Sequence, residues 1–267
     1  MTVNMSTADH ITVLELNDAP ALNALTPEGL MDLRRALRAA QDDDAVRVII
    51  LTGAGERAFC TGANLKKTFP PKNGFARNHL LGREAEALDG GYTRLLDLSD
   101  LQIWKPMIAA VNGYCLGGGL ELALQCDLRI ASTSASFGLP EVKVASVPAV
   151  GGAQALLRAI PSAHAMKMAL TGDRIDAQTA LDIGLVSDLT DPEALLPEAR
   201  AIAARIAANG PLAVQMVKKL SQETAHLSPP EFMAQSNTAW GLLRDSADRI
   251  EGRTAFGEKR APNFTGN

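Results

Sequence analysis

The sequence is poor in aromatic residues and in cysteines, and it has no long apolar run. Only 4% of its 267 residues are aromatic. Cys60, Cys115 and Cys126 are odd in number and have no C-x-x-C spacing, which argues against a disulfide framework or a zinc knuckle. No apolar stretch approaches the roughly 20 residues that cross a bilayer. The sequence therefore predicts a globular protein without a membrane-spanning segment.

The chain also lacks a strong charge of either sign. Its 26 Lys and Arg residues against 30 Asp and Glu residues give a formal net charge of −4. No basic run of the kind that neutralises a phosphate backbone is present. The first residues, MTVNMSTADH, lack the basic flank and apolar core of a secretory signal. These features predict a cytoplasmic protein with no nucleic-acid or membrane partner.

Strands and helices are predicted to alternate along most of the chain. Thr26 and Pro27 mark a helix start, because the threonine hydroxyl can cap the helix and proline suits its first position. Apolar runs predict strands, some of them covered on both faces. The predicted strands are residues 10–16, 46–51, 107–111 and 128–131, and residues 185–186 are predicted to open another.

The pattern changes near residue 190, because only helical patterns follow it. This change predicts an α/β core followed by a helical appendage. We place the core at residues 1–191 and the helical region at residues 192–267. Residues 66–91 form the least regular internal stretch, and we interpret them as a loop and a helix over a cleft.

Two common kinds of functional motif are weak or missing. Gly53-x-Gly55-x-x-Ala58 follows a predicted strand, like a dinucleotide-binding fingerprint, but the next residues do not suit a helix and residues 72–78 contain no acid. A glycine turn after a strand is the better interpretation. No Gly-x-Ser-x-Gly elbow or H-E-x-x-H spacing is present. Metal and serine-nucleophile chemistry have no local support, since the histidines stand apart at His10, His79, His164 and His226.

The most informative segment is residues 105–141. A buried strand leads into three glycines at 117–119 and then into strong helix formers. The unpaired N–H groups and the dipole at such a helix start suit a developing oxyanion. Glu121 lies in the first turn, where a glutamate can also simply complement the dipole. A second acid, Glu141, follows Pro140 among small and apolar residues, and two carboxyls on separate elements can share acid–base work.

A series of short motifs carries a family resemblance. They are residues 21–25 (ALNAL), 53–65 (GAGERAFCTGANL), 105–113 (KPMIAAVNG), 117–127 (GGGLELALQCD), 137–141 (FGLPE), 151–152 (GG), 170–172 (LTG), 180–186 (ALDIGLV) and 251–260 (EGRTAFGEKR). Each motif alone is moderately specific, but all of them in this order are very specific. From about Asn23 to its C-terminus, the sequence resembles the crotonase superfamily, the enoyl-CoA hydratase/isomerase family.

The resemblance implies a fold, an assembly and a catalytic site. The fold is a crotonase-like α/β spiral of ββα units around an acyl-CoA site, with C-terminal helices that assemble homotrimers and often hexamers as pairs of trimers. Two backbone N–H groups, carried onto Ala63 and Gly118, form the oxyanion hole for the thioester carbonyl. The two catalytic glutamates of the family fall on Glu121 and Glu141.

The resemblance also implies a coenzyme A site. Ala21 and Ala24, in the loop after the first strand, and Lys66 are expected to contact coenzyme A. Phe256 and Lys259, from this or a neighbouring subunit, are expected to contact its nucleotide end. Without the family match, Lys259 reads as a solvated lysine near the C-terminus.

These assignments predict an enoyl-CoA hydratase, which adds water reversibly to a trans-2-enoyl-CoA thioester. Glu121 is expected to orient and deprotonate the water that attacks Cβ, and Glu141 to deliver a proton to Cα. The reaction needs no metal or redox cofactor. Coenzyme A is part of the substrate and is not a cofactor. The family implies a place in fatty acid metabolism.

Three positions depart from the family pattern. Asn64 stands where the family usually has Asp, and Ala145 and Ala149 replace glycines that are common after the second glutamate. These departures bear on efficiency and substrate more than on reaction class.

Several alternatives stay open at this point. The stretch expected to line the acyl tunnel contains Arg77, His79 and Arg83. One hypothesis is that these residues admit a polar or carboxylated acyl group, and the alternative is that they form a solvated surface. Double-bond isomerases of the family commonly keep only the second glutamate, so the presence of both favours a hydratase or a specialised dehydratase. The acidic balance weighs against an RNA-binding or scaffold protein on this fold. A nucleotide-dependent oxidoreductase rests only on the weak glycine motif.

Overall fold

The computed structural model describes residues 1–67, 76–77, 80–88 and 93–267. Most strands in these ranges are short. The strands are β1 (Thr2–Ala8), β2 (Ile11–Asn17), β3 (Val48–Gly53), β4 (Ala58–Cys60), β5 (Met107–Val111), β6 (Tyr114–Leu116), β7 (Leu128–Ser132), β8 (Ser136–Gly138), β9 (Ile175–Asp176) and β10 (Asp188–Thr190).

The strands form two sheets. The larger sheet has the order β1-β2-β3-β5-β7-β10, and the smaller has the order β4-β6-β8-β9. The pairs β1–β2 and β8–β9 are antiparallel, and all the other neighbours are parallel. From β3 to β8, successive strands belong to different sheets, so the chain alternates between the large and the small sheet over this part.

Helices fill the connections and the C-terminal part. They are α1 (Pro27–Asp42), α2 (Arg83–Leu88), α3 (Thr93–Leu96), α4 (Gly118–Leu124), α5 (Gly152–Ala159), α6 (Ser162–Thr171), α7 (Ala177–Asp182), α8 (Leu195–Ala207), α9 (Pro211–Glu223), α10 (Pro229–Arg244) and α11 (Ala247–Glu258). Short 3₁₀ turns lie at Ala19–Ala21, Ser99–Leu101, Pro140–Val144 and Pro192–Ala194.

The large sheet is covered by apolar side chains on both faces. In β3, Ile49 and Leu51 belong to the main core, whereas Val48 and Ile50 belong to a second core beneath α8. This alternation follows from the two-residue period of a strand, and burial on both faces explains why the run reads as continuously apolar. Helix α8 completes the second core, although it lies in the region after residue 191 that is predicted to be separate from the core. The division of the chain at that residue stays a prediction.

Helix α9 is attached to the core by a buried ion pair. The Nζ atom of Lys218, which is 7% exposed, lies 2.8 Å from Asp127 Oδ2 and donates to the Lys105 carbonyl at 3.0 Å. Asp127 Oδ2 also accepts from the Met107 N–H at 2.7 Å, at the start of β5. One carboxylate therefore joins the C-terminal helices to the central strands.

Several sequence predictions are confirmed. Helix α1 begins at Pro27, and the Thr26 hydroxyl accepts from the Gly29 N–H. Strand β5 has the predicted bounds. The prediction of a strand opening at residues 185–186 is wrong by a few residues: the amides of Leu185 and Val186 instead donate to the Ala180 carbonyl, which closes α7, and β10 begins at Asp188.

The stretch at residues 66–91 is described in part. It contains α2, whereas residues 68–75, 78–79 and 89–91 lie outside the described residues. Across the described ranges, no helix combines the length and apolar character that spanning a membrane requires.

Candidate active site

The first part of the site is the turn that follows β4. Gly62 has a φ of +81°, and a Cβ built on it would lie 2.9 Å from the Leu116 carbonyl and 3.0 Å from the Gly118 nitrogen. Only glycine suits this conformation and this close approach. Its neighbour Ala63 pairs with Leu25 through a short parallel bridge. The turn thus lies directly against the start of α4.

The second part is the glycine-rich start of α4. Gly117 caps the helix with a φ of +55°, and a Cβ on Gly119 would lie only 2.1 Å from the Cys60 carbonyl. The helix start therefore packs against the end of β4 without room for side chains. In the described part of the chain, neither the Ala63 N–H nor the Gly118 N–H donates to a protein acceptor. Two amide donors in adjacent segments are thus available to a ligand.

Glu121 lies in the first turn of α4 and is 4% exposed. Its Oε1 accepts from the Val150 N–H at 2.8 Å and from the Gly152 N–H at 2.9 Å, at the start of α5. Burial raises the pKa of this carboxyl, although the two amide hydrogen bonds act in the opposite direction. The protein therefore fixes one oxygen firmly while it disfavours the charge.

Glu141 lies in the 3₁₀ turn Pro140–Val144 and is partly buried. Burial raises its pKa, and the negative charge of Glu121 adds to the rise. Within the described residues its Oε2 is buried without a hydrogen-bond partner. Its Oε1 lies 3.0 Å from the position that a Cβ on Gly117 would occupy, so the carboxyl also lies against the start of α4.

These four groups surround one cavity of about 300 Å³. Ala63, Gly118, Glu121 and Glu141 all line it. The remaining wall is largely apolar, and its aliphatic lining residues are Leu65, Leu96, Val144, Val147 and Ala149. Two unpaired amide donors and two carboxyls of raised pKa therefore meet at an apolar cavity, which is an arrangement for acid–base chemistry next to a developing oxyanion.

Comparison with known proteins agrees with this geometry. A family model described as enoyl-CoA hydratase/isomerase matches residues 6–267. The chain belongs to the enoyl-CoA hydratase/isomerase family. It is 47% identical to the (E)-benzylidenesuccinyl-CoA hydratase of Thauera aromatica, over 100% of both chains. It is 40% identical to the crotonyl-CoA hydratase of Syntrophomonas wolfei, over 96% of this chain and 95% of that one.

Solved structures of the family share the fold. The enoyl-CoA hydratase of Bacillus anthracis matches with a TM-score of 0.89 at 35% identity, over the whole of both chains. The crotonase-like α/β fold predicted from the motifs is confirmed, and the C-terminal helices are consistent with the trimerisation region of that fold. The chain is therefore a hydratase-type enzyme of this family, for which an acyl-CoA substrate is expected.

The residues predicted to contact coenzyme A lie outside the lining of this cavity. Ala21 ends a 3₁₀ turn and Ala24 is buried just before α1, whereas Lys66 is exposed. Phe256 is 88% exposed on α11, and Lys259 caps that helix in the left-handed conformation. None of the five lines the cavity described above, and their contacts with coenzyme A stay predictions.

The departures from the family pattern have local consequences. Ala145 has a φ of +54°, a conformation that favours glycine. Ala149 lines the cavity directly. The Asn64 side chain accepts from the Lys66 N–H at 3.2 Å.

Of the three basic residues considered for a carboxylated substrate, the two that the structure describes, Arg77 and Arg83, do not line the cavity. Arg77 is exposed, and Arg83 pairs with Asp97 at 3.0 Å. His79 lies outside the described residues. The structure therefore assigns Arg83 a structural contact instead of a place in the cavity lining.

The sequence motifs do not identify the groups that hold Glu121. The amides of Val150 and Gly152 fix its carboxyl, whereas Gly151-Gly152 contributes to the prediction only as a family motif. The available signal was a glycine pair before a helix, because an uncapped helix start offers unpaired donors to a carboxylate.

Proposed function

We propose that this protein is an enoyl-CoA hydratase that adds water to a trans-2-enoyl-CoA thioester. The observation that supports this most strongly is the meeting of two carboxyls and two unpaired amides at one apolar cavity. Water addition is redox-neutral, so the proposed reaction uses no redox cofactor, and we propose that the two amides and two glutamates act without a metal ion.

The proposed chemistry starts at the thioester carbonyl. The Ala63 and Gly118 amides would hold its oxygen, which gains negative charge as an enolate-like state forms. Each donor of such a pair typically contributes about 2.7–4 kcal/mol to the transition state. Two such donors would therefore stabilise the enolate-like state that forms when water attacks Cβ.

The two glutamates would divide the proton transfers. Glu121 accepts two amide hydrogen bonds, which favour its ionised form and hold it still, so it suits the base that deprotonates the attacking water. Among the described residues, no group donates a hydrogen bond to the buried Oε2 of Glu141. A protonated carboxyl is less costly to bury there than a charged one, so Glu141 suits the acid that protonates Cα. The hydroxyl then bonds to Cβ, and the roles reverse in dehydration.

We further propose that the working form is a homotrimer or a pair of trimers. Helices α10 and α11 expose large apolar side chains, including Trp240 at 61%, Leu242 at 70% and Phe256 at 88%. Burial of these side chains between subunits would bring Phe256 and Lys259 towards a neighbouring coenzyme A. Light scattering should then report at least a trimer.

A second candidate is the hydration of a larger, carboxylated enoyl-CoA. It is favoured by the 47% identity to a benzylidenesuccinyl-CoA hydratase and by the 37% identity to a 2,3-dehydroadipyl-CoA hydratase of Escherichia coli. The exposed mouth of the cavity, with Leu65 at 71%, Val144 at 62% and Val147 at 68%, offers apolar surface for a bulky acyl group. This is the same chemistry on a different acyl chain.

The test follows loss of the conjugated thioester absorbance of crotonyl-CoA. Glu121→Gln and Glu141→Gln should each lower the rate about 10²-fold or more, because each removes one proton transfer. Full rate in both variants would reject the assignment. Turnover of a 3-enoyl-CoA without hydration would indicate an isomerase, and good activity on crotonyl-CoA with poor activity on benzylidenesuccinyl-CoA would reject the second candidate.

A further inference from the structure

Gln125 joins the catalytic helix to the wall of the acyl cavity. It follows the last residue of α4, one turn after Glu121. Its Oε1 accepts from the Leu98 N–H at 2.8 Å, and its Nε2 donates to the Leu96 carbonyl at 3.0 Å and to the Glu121 carbonyl at 3.2 Å. Both ends of the side-chain amide are therefore used, and they bind the backbone on either side of Asp97.

The backbone that Gln125 holds carries part of the cavity wall. Leu96 is 2% exposed and lines the cavity. Its Cδ2 lies 3.0 Å from the position that a Cβ on Gly118 would occupy, so it packs against the residue whose amide is expected to bind the thioester oxygen. The position of Leu96 thus determines how much room an acyl group finds beside that amide.

The other polar contacts to this segment come from different directions. Arg34 on α1 donates to the Leu95 and Asp97 carbonyls, and Arg83 on α2 donates to the Asp97 carbonyl. Among the described residues, Gln125 provides the side-chain hydrogen bonds that link this segment to α4. Removing Gln125 would leave the hydrogen bonds from Arg34 and Arg83 on the outer side, whereas on the side of the cavity the segment would be held by apolar packing alone.

We propose that Gln125 is a positioning residue that sets the acyl-group preference of the enzyme by holding Leu96 against Gly118. This inference rests on the proposed function, because it concerns the same cavity. Without the tether, Leu96 can withdraw from Gly118. A small acyl group then loses contact with the wall, whereas a bulky acyl group gains space.

The experiment compares two substrates in variants of the full chain. Gln125→Met keeps the length of the side chain and removes all three hydrogen bonds, and Gln125→Glu keeps the acceptor but places a carboxylate opposite two carbonyl oxygens. The ratio of kcat/KM for crotonyl-CoA to that for cinnamoyl-CoA should fall at least fivefold in both. The matched control is Gln178→Met, because Gln178 is exposed on α7 and bonds only to Asp182 among the described residues.

A purely structural role would give a different result. It would lower both rates in proportion to the folded fraction and leave the ratio unchanged, and an unchanged ratio would overturn the proposal. Leu96→Val shortens the wall while it keeps the tether, so it should move the ratio in the same direction even if a Gln125 variant fails to fold. An unchanged ratio there would equally count against the proposal.

A binding measurement separates this inference from the proposed function. The dissociation constants of butanoyl-CoA and 3-phenylpropanoyl-CoA, which are saturated and do not react, should shift in the same sense in Gln125→Met. If the unaltered protein hydrates neither enoyl-CoA while this shift occurs, the proposed function fails and the role of Gln125 in acyl preference stands. If hydration proceeds but neither ratio shifts, the inference fails alone.

Discussion

Gly152→Ala tests whether the position of Glu121, apart from its chemistry, matters for the reaction. A Cβ on Gly152 would lie 2.7 Å from Glu121 Cγ and 2.8 Å from its Oε1. Ordinary contacts begin at 3.4 Å, so Cγ must move by about 0.7 Å (3.4 minus 2.7) and the carboxyl oxygen by about 0.6 Å (3.4 minus 2.8). Because a misplacement of about 1 Å can cost about 10²-fold in rate, we expect kcat to fall about 10- to 100-fold.

The substitution should leave the fold intact. Gly152 has no positive φ, and alanine is the better helix former by about 1 kcal/mol, so the helix start itself is not penalised. Hydration of crotonyl-CoA and thermal unfolding should be measured side by side. Gly82→Ala is the matched control, since Gly82 also lies at a helix start, directly before α2, and a Cβ there would have nothing within 4 Å. Full kcat in Gly152→Ala would show that the hydrogen-bonded placement of Glu121 is irrelevant.

Two further predictions concern stability. Burial raises the pKa of Glu141, so the native state holds this proton more tightly than the unfolded chain does. The native state therefore loses stability as the pH rises from the ordinary pKa of 4.5 through the raised pKa. Glu141→Gln should therefore raise Tm at about pH 8 and change it little at about pH 4; no difference between the two pH values would contradict the burial argument. Lys218→Met removes the cation that pairs with Asp127, whose side chain is 25% exposed. Because water can still reach this carboxylate, the free energy of unfolding should fall by about 2 kcal/mol in urea titrations. An unchanged midpoint would mean that α9 does not depend on this pair.

The parts of the fold that the sequence predicts well are those set by local chemistry. Helix α1 combines a capping threonine, a proline at its first position and leucines at helical spacing, and none of these depends on distant residues. Strand β5 is continuously apolar because both of its faces are covered. Its bounds therefore follow from the run itself.

Other parts depend on contacts that no local pattern contains. Strand β1 is exposed along most of its length, so it carries no apolar alternation and was not predicted. Asn23 is recognisable as part of a motif, but its role cannot be predicted from the sequence. It has a φ of +54°. Its side chain donates to the Ala54 and Ala58 carbonyls and accepts from the Asp18 N–H. Three partners spread over about 40 residues appear only after folding.

The candidate site itself depends on glycines, because positions without a side chain leave room for other groups of the site. A Cβ on Gly62 would approach the Gly118 nitrogen, one on Gly117 would approach Glu141, and one on Gly152 would approach Glu121. Each glycine thus lets a backbone segment come close to a different group of the site, and precise placement is what such chemistry requires. A search for reactive side chains finds the two glutamates but cannot tell where their carboxyls lie. Substituting these glycines should therefore lower the rate, although none of them can take part in a proton transfer through a side chain.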